Sequence, residues 1–324
     1  MHLDPFELHR PANVTELVEL EGRFRDSGFD LLAGGTDLLP NYQMQINARP
    51  NVIALWDLPE LQGHDLARVG AMTRLADLEG DAEFCRAFPG VAEAIRQVAT
   101  PLVRASGTIG GNLLLETRCF FFNQSHAWRE SLGYCLKAEG DRCHVVPQRE
   151  RCYATFSGDL APALAVLDAE VEVDGPNGRR RLPVLGLYDE GGDGIRRHRL
   201  GWGEVVTSVY LPESSRNLPS TYAKLRVRPS FDFPELGVAA QLSLHHGRVD
   251  RLRVALGGLE TYPRRFDELT GPLEGQAWSP EHAGSVASAV QRAVRPVHNT
   301  FLAPDYRKRM AGVFVRRALT RLAA

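Results

Sequence analysis

The sequence predicts an α+β fold in which α/β units are followed by a β-meander and two helices. Short apolar runs that end at glycine, such as FDLLA at 29–33, are typical of buried strands. The segments between such runs place apolar residues at helical spacing. Residues 222–258 read instead as strands joined by turns, with His246-Gly247 in one turn. We therefore expect a meander after the α/β part.

The first region, residues 1–55, is predicted to form a compact α/β unit. A helix should open at NVTE, with Asn13 or Thr15 as its N-cap, because both side chains can accept a hydrogen bond from the helix start. The strand at 29–33 ends at paired glycines. A second apolar strand is predicted over NVIALWDL, residues 51–58.

The second region, residues 56–216, contains helical spacing in MTRLADLEG and VAEAIRQVA. The run LAPALAVLDAEVEV begins as a helix and ends as a strand. The turn sequence DGPNG at 174–178 then leads into RRRLPV, which predicts a hairpin.

The last region, residues 217–324, follows the meander with helices near 281–294 and 304–323. The final helix is predicted to be a packed surface helix, with its arginines and aliphatic residues on different faces.

Composition excludes several classes of protein. The chain has 324 residues, 44% hydrophobic and 24% charged, with a net charge of −2, so we expect neither nucleic-acid nor membrane binding. No secretory signal is expected in MHLDPFELHRP, and no run approaches the roughly 20 apolar residues of a membrane helix. We expect a cytoplasmic protein, in which thiols stay reduced.

Two glycine-rich loops are the first candidate ligand site. They are AGGTDLLP at 33–40 and SGTIGGN at 106–112. Glycines let a ligand approach the backbone closely, and successive N–H groups can form an anion site. Neither loop matches GxGxxG or a Walker loop. Two such loops suit a ligand with two phosphates, although two unrelated turns remain the alternative.

The order of four segments carries a resemblance to a known family. AGGTDLLP, GAMTRLADL (70–78), TPLVRASGTIGGN (100–112) and SGDLAPALAVLDAEVEV (157–173) together resemble the FAD-binding subunits of the molybdenum hydroxylases. The resemblance implies a vanillyl-alcohol-oxidase (PCMH)-type FAD-binding domain of two α/β subdomains, 1–55 and 56–216. A C-terminal sheet-and-helix domain, 217–324, would follow.

The resemblance also implies cofactor-binding residues by position. The first loop would line the pyrophosphate, the second loop would lie on the flavin side, and a Ser/Asp pair would lie near the cofactor. Lys224 in YAKLRVR would lie close to the isoalloxazine, the alternative being a solvated residue on an edge strand. The other residues are Ala33, Gly34, Gly35, Thr36, Asp37, Thr108, Gly110, Gly111, Asn112, Ser157 and Asp159.

Four of the five cysteines lie in one segment, at about 116–155. Cys119, Cys135, Cys143 and Cys152 follow the spacing Cys-x15-Cys-x7-Cys-x8-Cys. Four thiolates suit a 4Fe–4S cluster and a structural zinc site equally, although the close cysteine pairs usual for zinc are absent. The remaining cysteine, Cys85, is expected to be a buried structural residue. His126 and His144 are alternative ligands or solvated loop residues.

Most members of the family lack this segment, and a four-cysteine insert here resembles that of the 4-hydroxybenzoyl-CoA reductase β subunits. The resemblance implies a 4Fe–4S cluster. Nearby arginines are expected to offset its negative charge, and aromatic residues to shield it or to anchor the insert. The arginines are Arg118, Arg129, Arg142, Arg149 and Arg151, and the aromatic residues are Phe120, Phe121, Phe122, Trp128 and Tyr134.

The implied function is electron transfer in anaerobic aromatic degradation. Electrons would pass from ferredoxin through 4Fe–4S and FAD to 2Fe–2S and molybdenum in partner subunits of a heterotrimer, which removes the hydroxyl of 4-hydroxybenzoyl-CoA. One alternative is the FAD subunit of another, NAD-linked molybdenum hydroxylase with a zinc or structural insert. Another is a non-catalytic binding protein with zinc-bound cysteines.

Overall fold

The structure is a computed structural model that describes residues 3–324. The strands are β1 (Glu7–His9), β2 (Phe29–Leu32), β3 (Asn51–Ala54), β4 (Arg68–Gly70), β5 (Glu170–Asp174), β6 (Arg180–Pro183), β7 (Val205–Tyr210), β8 (Ser220–Leu225), β9 (Leu236–His245), β10 (Arg248–Gly257) and β11 (Arg264–Arg265). The α-helices are α1 (Val14–Phe24), α2 (Leu38–Gln43), α3 (Leu75–Gly80), α4 (Ala82–Ala87), α5 (Pro89–Gln97), α6 (Pro101–Arg104), α7 (Ile109–Leu113), α8 (His126–Ser131), α9 (Leu160–Ala165), α10 (Asp267–Thr270), α11 (Pro280–Ala293) and α12 (Pro304–Leu322). Residues 1 and 2 lie outside the described residues. They begin the segment in which no secretory signal is expected.

A small parallel sheet of order β1-β3-β2 opens the chain. Helix α1 lies between β1 and β2. Asn13 Oδ1 accepts a hydrogen bond from the Glu16 N–H at 2.9 Å, so Asn13 and not Thr15 is the N-cap. Strand β3 is shorter than predicted and leaves the sheet at Leu55, just before Trp56 turns to donate its indole N–H to the Ala33 carbonyl.

The second sheet is antiparallel, of order β4-β7-β5-β6. Strands β5 and β6 form the hairpin predicted around residues 174–178, with Val171 opposite Leu182. The helix-then-strand prediction for 160–173 is also confirmed, since α9 precedes β5. Helix α9 is buried along its whole length and packs into the core that this sheet shares with α5 and α7.

The meander prediction is confirmed by the third sheet, of order β11-β10-β9-β8. Strands β9 and β10 meet in a tight turn at His246 and Gly247, both of which have positive φ. The long helices α11 and α12 cover one face of this sheet and form a second core with it.

One arginine of α12 contradicts the prediction that its arginines face solvent. Arg307 is completely buried and donates from Nε to the Glu235 carbonyl at 2.9 Å and from Nη1 to Asn299 Oδ1 at 2.9 Å. Buried guanidinium groups persist where their donors are satisfied. The oxygens that satisfy them come from distant loops, so the helical pattern alone did not reveal this position.

The cysteine-bearing segment is an excursion whose two ends are joined. Arg118 and Thr155 exchange backbone hydrogen bonds of 2.8 and 2.7 Å and so form a β-bridge at its base. The excursion contains α8 and has a small core of its own. This core includes Ile46 of the first region, against which the excursion docks. Within residues 3–324, no helix combines the length and hydropathy needed to cross a membrane.

Glu21 is a buried carboxyl group on α1, and we predict that it makes stability depend on pH. It is 4% exposed, and burial raises its pKa from 4.5 to about 7, although the Gly203 backbone opposes this shift. The folded state therefore retains a proton that the unfolded chain releases. This stabilisation is complete below the unfolded pKa and is lost as pH rises through 7.

In urea unfolding at pH 5 and pH 8, Glu21→Gln should reduce the loss of unfolding free energy with rising pH by about 2 kcal/mol relative to the wild type. The control is Glu19→Gln, an exposed position on the same helix. Equal pH dependence in wild type and Glu21→Gln would contradict the assignment.

Candidate cofactor site

The two glycine-rich loops contact each other directly. A Cβ atom at Gly34 would lie only 2.0 Å from the Ser106 carbonyl oxygen. Gly107 approaches Thr36 on the opposite loop, where its Cβ position would lie 3.6 Å from Oγ1. The fold therefore brings together two loops that are about 70 residues apart in the sequence.

The first loop needs glycine for conformation as well as for packing. Gly35 has a φ of 71°, a region that residues with a Cβ rarely adopt. Its Cβ position faces the side chains of Leu39 and Leu32, which lie inside the subdomain. Ala33 is half-buried, and Thr36 is exposed. The glycines thus shape the loop and do not simply leave space for a ligand.

The second loop is fixed from both ends of the short helix α7. Thr108 is its N-cap, and the hydroxyl of Thr108 accepts a hydrogen bond from the Gly111 N–H at 3.1 Å. Gly110 packs against Ala71, which leaves no room for a Cβ. Asn112 accepts the Leu160 N–H on Oδ1 at 3.0 Å, so the loop also fixes the start of α9.

Asp159, at the N-terminus of α9, forms a buried ion pair with Lys224 of β8. The Lys224 ammonium lies 3.0 Å from Asp159 Oδ2, and the Tyr222 hydroxyl donates to Oδ1 at 2.6 Å. Burial raises the pKa of Asp159 and lowers that of Lys224, while their mutual attraction opposes both shifts. The Lys224 side chain is 1% exposed, so it is not a solvated edge residue.

A cleft of about 230 Å³ lies between the excursion and the C-terminal region. We call it the aromatic cleft because four phenylalanines, Phe120 among them, line it. Ser157 of the predicted Ser/Asp pair lines it, as do Arg118 and Cys119 at the start of the excursion. Further lining residues are Val227, Phe231, Phe233, Asn299 and Phe301.

All four clustered cysteines line a second, smaller pocket, which we call the cysteine pocket. Their thiols are buried, and none of the five cysteines of the chain is in a disulfide. Backbone N–H groups point at two of the sulfurs: Phe122 N is 3.3 Å from Cys119 Sγ, and Ala154 N is 3.4 Å from Cys152 Sγ. Such N–H···S contacts stabilise negative charge on sulfur.

Cys119 borders both the cysteine pocket and the aromatic cleft. Burial raises the pKa of the Cys119 thiol to about 12 and that of Cys152 to about 11. Among the residues described, no three His, Cys, Asp or Glu side chains are arranged to hold a single metal ion. The four cysteines nevertheless line one shared pocket.

Sequence reasoning missed Lys137, which lines the cysteine pocket. Its side chain is 5% exposed, and its ammonium donates to a Glu116 carboxylate oxygen, to the Thr117 hydroxyl and, at 2.8 Å, to the Gly194 carbonyl. A lysine within a cysteine-rich segment was the available signal, but its burial depends on residues about 20 and 57 positions away.

The arginines expected to offset charge in this segment have other contacts. Arg118 pairs with Asp37 of the first glycine loop, and Arg129 donates to the Met44 carbonyl at 2.9 Å. Arg142 is exposed beside Asp141. These side chains link the excursion to the first subdomain or face solvent, and they do not line the cysteine pocket. The remaining two, Arg149 and Arg151, are also exposed.

The aromatic residues divide between the two expected roles. Phe121 lines the cysteine pocket, and Phe122 is fully buried in the small core of the excursion. Phe120 is exposed at the aromatic cleft and packs edge-on against Phe301 of the C-terminal region. Trp128 and Tyr134 are partly buried.

The remaining candidate ligands separate clearly. His144 lines the cysteine pocket and contacts the Tyr134 carbonyl through Nε2 at 2.5 Å, whereas His126 is exposed. Cys85 lies outside the pocket on α4. It is half-buried, not fully buried as predicted, because its helix lies at the protein surface.

Comparison with known proteins decides the family. Residues 4–214 match the family described as FAD binding domain in molybdopterin dehydrogenase, and residues 220–322 match the CO dehydrogenase flavoprotein C-terminal domain. This chain belongs to the FAD-binding subunits of the molybdenum hydroxylase family. The predicted FAD-binding fold of the PCMH type, followed by a separate C-terminal domain, is thereby confirmed.

Relatives of this flavin subunit are parts of oxidoreductases. The carbon monoxide dehydrogenase medium chain of Hydrogenophaga pseudoflava is 28% identical over 97% of this chain and 96% of that protein. The aldehyde oxidoreductase FAD-binding subunit of Escherichia coli is 32% identical over 77% and 80%. A solved carbon monoxide dehydrogenase structure from Hydrogenophaga pseudoflava superposes with a TM-score of 0.79 at 26% identity, covering 99% of this chain and 98% of the matched one.

The contact between the loops predicts that Gly34→Ala weakens FAD binding. The added methyl group must push the Ser106 backbone away, and distortions of this kind cost about 1–3 kcal/mol, so we expect about tenfold weaker binding or more. Flavin fluorescence titration of the full-length chain measures the affinity.

The matched control is Gly22→Ala on α1, where an added Cβ meets nothing within 4 Å. Circular dichroism checks that both variants fold. A folded Gly34→Ala variant with wild-type affinity would show that the contact between the loops does not shape the site.

Proposed function

We propose that this chain is the FAD- and 4Fe–4S-containing electron-transfer subunit of a molybdenum enzyme that reductively dehydroxylates 4-hydroxybenzoyl-CoA to benzoyl-CoA. The main support for electron transfer between the two cofactors is the position of Cys119, which borders both the cysteine pocket and the aromatic cleft. The substrate is inferred from the resemblance of the four-cysteine insert to that of the 4-hydroxybenzoyl-CoA reductase β subunits.

The proposal places FAD along the two contacting glycine loops. Ala33 to Asp37 would line the pyrophosphate, and Thr108 with Gly110, Gly111 and Asn112 would lie on the flavin side. The isoalloxazine would lie toward Ser157 and the Asp159–Lys224 pair. Asp37 joins this site to the insert, because its carboxylate pairs with Arg118 at the base of the excursion. The domain boundaries near residues 55 and 216 are part of the same proposal.

The donor set fits a cluster with several iron atoms. Cys119, Cys135, Cys143 and Cys152 line one shared pocket, and their spacing lacks the close cysteine pairs usual for zinc. Four thiolates around a cavity suit a cube, in which each sulfur binds a different iron. Burial and N–H···S contacts suit a redox group shielded from water.

When bound, the 4Fe–4S cluster would transfer single electrons, and FAD would accept them one at a time and serve a reaction that needs two. The reaction consumes two electrons and two protons and releases the phenolic oxygen as water. Reduced ferredoxin would supply the electrons, and a molybdopterin-binding large subunit with a 2Fe–2S small subunit would complete a heterotrimer, paired about a two-fold axis. In this proposal the chain's own residues hold the flavin and bury the thiols. The Arg118–Thr155 bridge at the base of the excursion fixes the distance between the thiols and the flavin site.

A second candidate is the FAD subunit of another molybdenum hydroxylase, with electrons leaving the molybdenum site through this chain. The identity of 32% to an aldehyde oxidoreductase FAD-binding subunit favours it. The insert would then be an electron exit, or a zinc-bearing or structural element.

Cys135→Ser should abolish the iron–sulfur signal and leave FAD bound, because the glycine loops lie outside the excursion. Anaerobically purified full-length protein would be analysed for iron, acid-labile sulfide, zinc and flavin. We expect about four irons per wild-type chain, the number in such a cube. The matched control, Cys85→Ser, removes a thiol outside the pocket and should change none of these values. Zinc in place of iron would sink the cluster assignment.

The intact complex distinguishes the two candidate functions. With reduced ferredoxin we expect benzoyl-CoA to form from 4-hydroxybenzoyl-CoA. Flavin reduction by an aldehyde, without turnover of the thioester, would favour the second candidate.

A further inference from the structure

Lys137 is the buried cation that lines the cysteine pocket. Its three N–H donors meet the three acceptors Glu116, Thr117 and Gly194, so the ammonium is held in one place. Its Nζ also lies 5.3 Å from the centre of the Phe122 ring. A charge fixed in this way acts on its surroundings through a low dielectric and not through water.

Glu116 is the counterion of Lys137 and connects it to a second cation. Its other carboxylate oxygen accepts a hydrogen bond from Arg197 Nη1 at 2.8 Å. Burial alone would raise the pKa of Glu116, but Lys137 and Arg197 hold it below its usual value. Glu116 therefore stays ionised, and the three groups carry one net positive charge beside the thiols.

The position of this charge matters for the sulfurs. Lys137 and the four cysteines line the same small pocket, so its positive charge lies close to the sulfurs. The arginines of the same excursion pair with Asp37 and Asp141 or face backbone carbonyls and solvent. Lys137 is thus the cation placed to act on the contents of the cysteine pocket.

We propose that Lys137 is a positioning residue that raises the reduction potential of the redox group held by the four cysteines. The Glu116 carboxylate limits the size of this increase. This inference rests on the proposed 4Fe–4S function of the pocket. A fixed positive charge favours addition of an electron nearby, whereas the adjacent carboxylate opposes it. The pair would therefore set the driving force for electron transfer between the pocket and the flavin.

The test compares two substitutions with opposite expected signs. Lys137→Met removes the positive charge and should shift the midpoint potential of the cluster to more negative values. Glu116→Gln removes the negative charge and should shift it to more positive values. Potentiometric titration of the anaerobic full-length protein, followed by electron paramagnetic resonance, measures both, with iron, sulfide and FAD content measured in parallel.

Arg142→Gln is the matched control, because it removes an exposed cation next to Cys143 and should leave the potential unchanged. If Lys137→Met does not fold or loses iron, the shift in Glu116→Gln still decides the question. A shift of the same sign in both variants, or an unchanged potential in either variant with full iron content, would overturn the role proposed for the Lys137–Glu116 pair. Absence of iron and sulfide from the wild type would instead overturn the proposed function, and with it this inference.

Discussion

The contact between Gly34 and the Ser106 carbonyl is the constraint on which the arrangement of the site depends. The two loops, which are about 70 residues apart in the sequence, can meet at this distance only because Gly34 has no side chain to intervene. Once they meet, Thr108 caps α7, Asn112 binds the start of α9, and Asp159 is fixed where Lys224 of the C-terminal domain reaches it. One steric condition thus places residues from three regions of the chain around a single site.

The cysteine-bearing excursion is attached to the protein next to the first glycine loop. The exchange of backbone hydrogen bonds between Arg118 and Thr155 closes its ends, and the Arg118 side chain reaches Asp37 on the first loop. Arg129 donates to the Met44 carbonyl, and the excursion's small core packs against Ile46, so the excursion is also attached to the segment after α2. The excursion is therefore a docked element with its own small core, and the distance between the thiols and the glycine loops is set by the fold.

Buried charge is the second theme of the molecule. Arg307, Lys224 and Lys137 are all removed from water, and each donates to two or more oxygens from other segments. Such groups are costly to bury and strongly destabilising if a partner is lost, so each one fixes the relative position of the segments it joins. Lys224 joins the flavin domain to the C-terminal domain, and Lys137 joins the excursion to residues 116 and 194.

The sequence by itself determined the local elements, because period-2 and helical spacing, Asn13 as a cap and the DGPNG turn act over a few residues. It also pointed to the glycine loops and grouped four cysteines in one segment. Only the tertiary structure decided that the loops touch, that Cys119 borders two cavities, and which cation lies beside the thiols. The reason is physical: Arg118, Arg129 and Lys137 look alike in a charged segment. Their roles depend on acceptors at Asp37, Met44 and Gly194, which become neighbours only when the chain is folded.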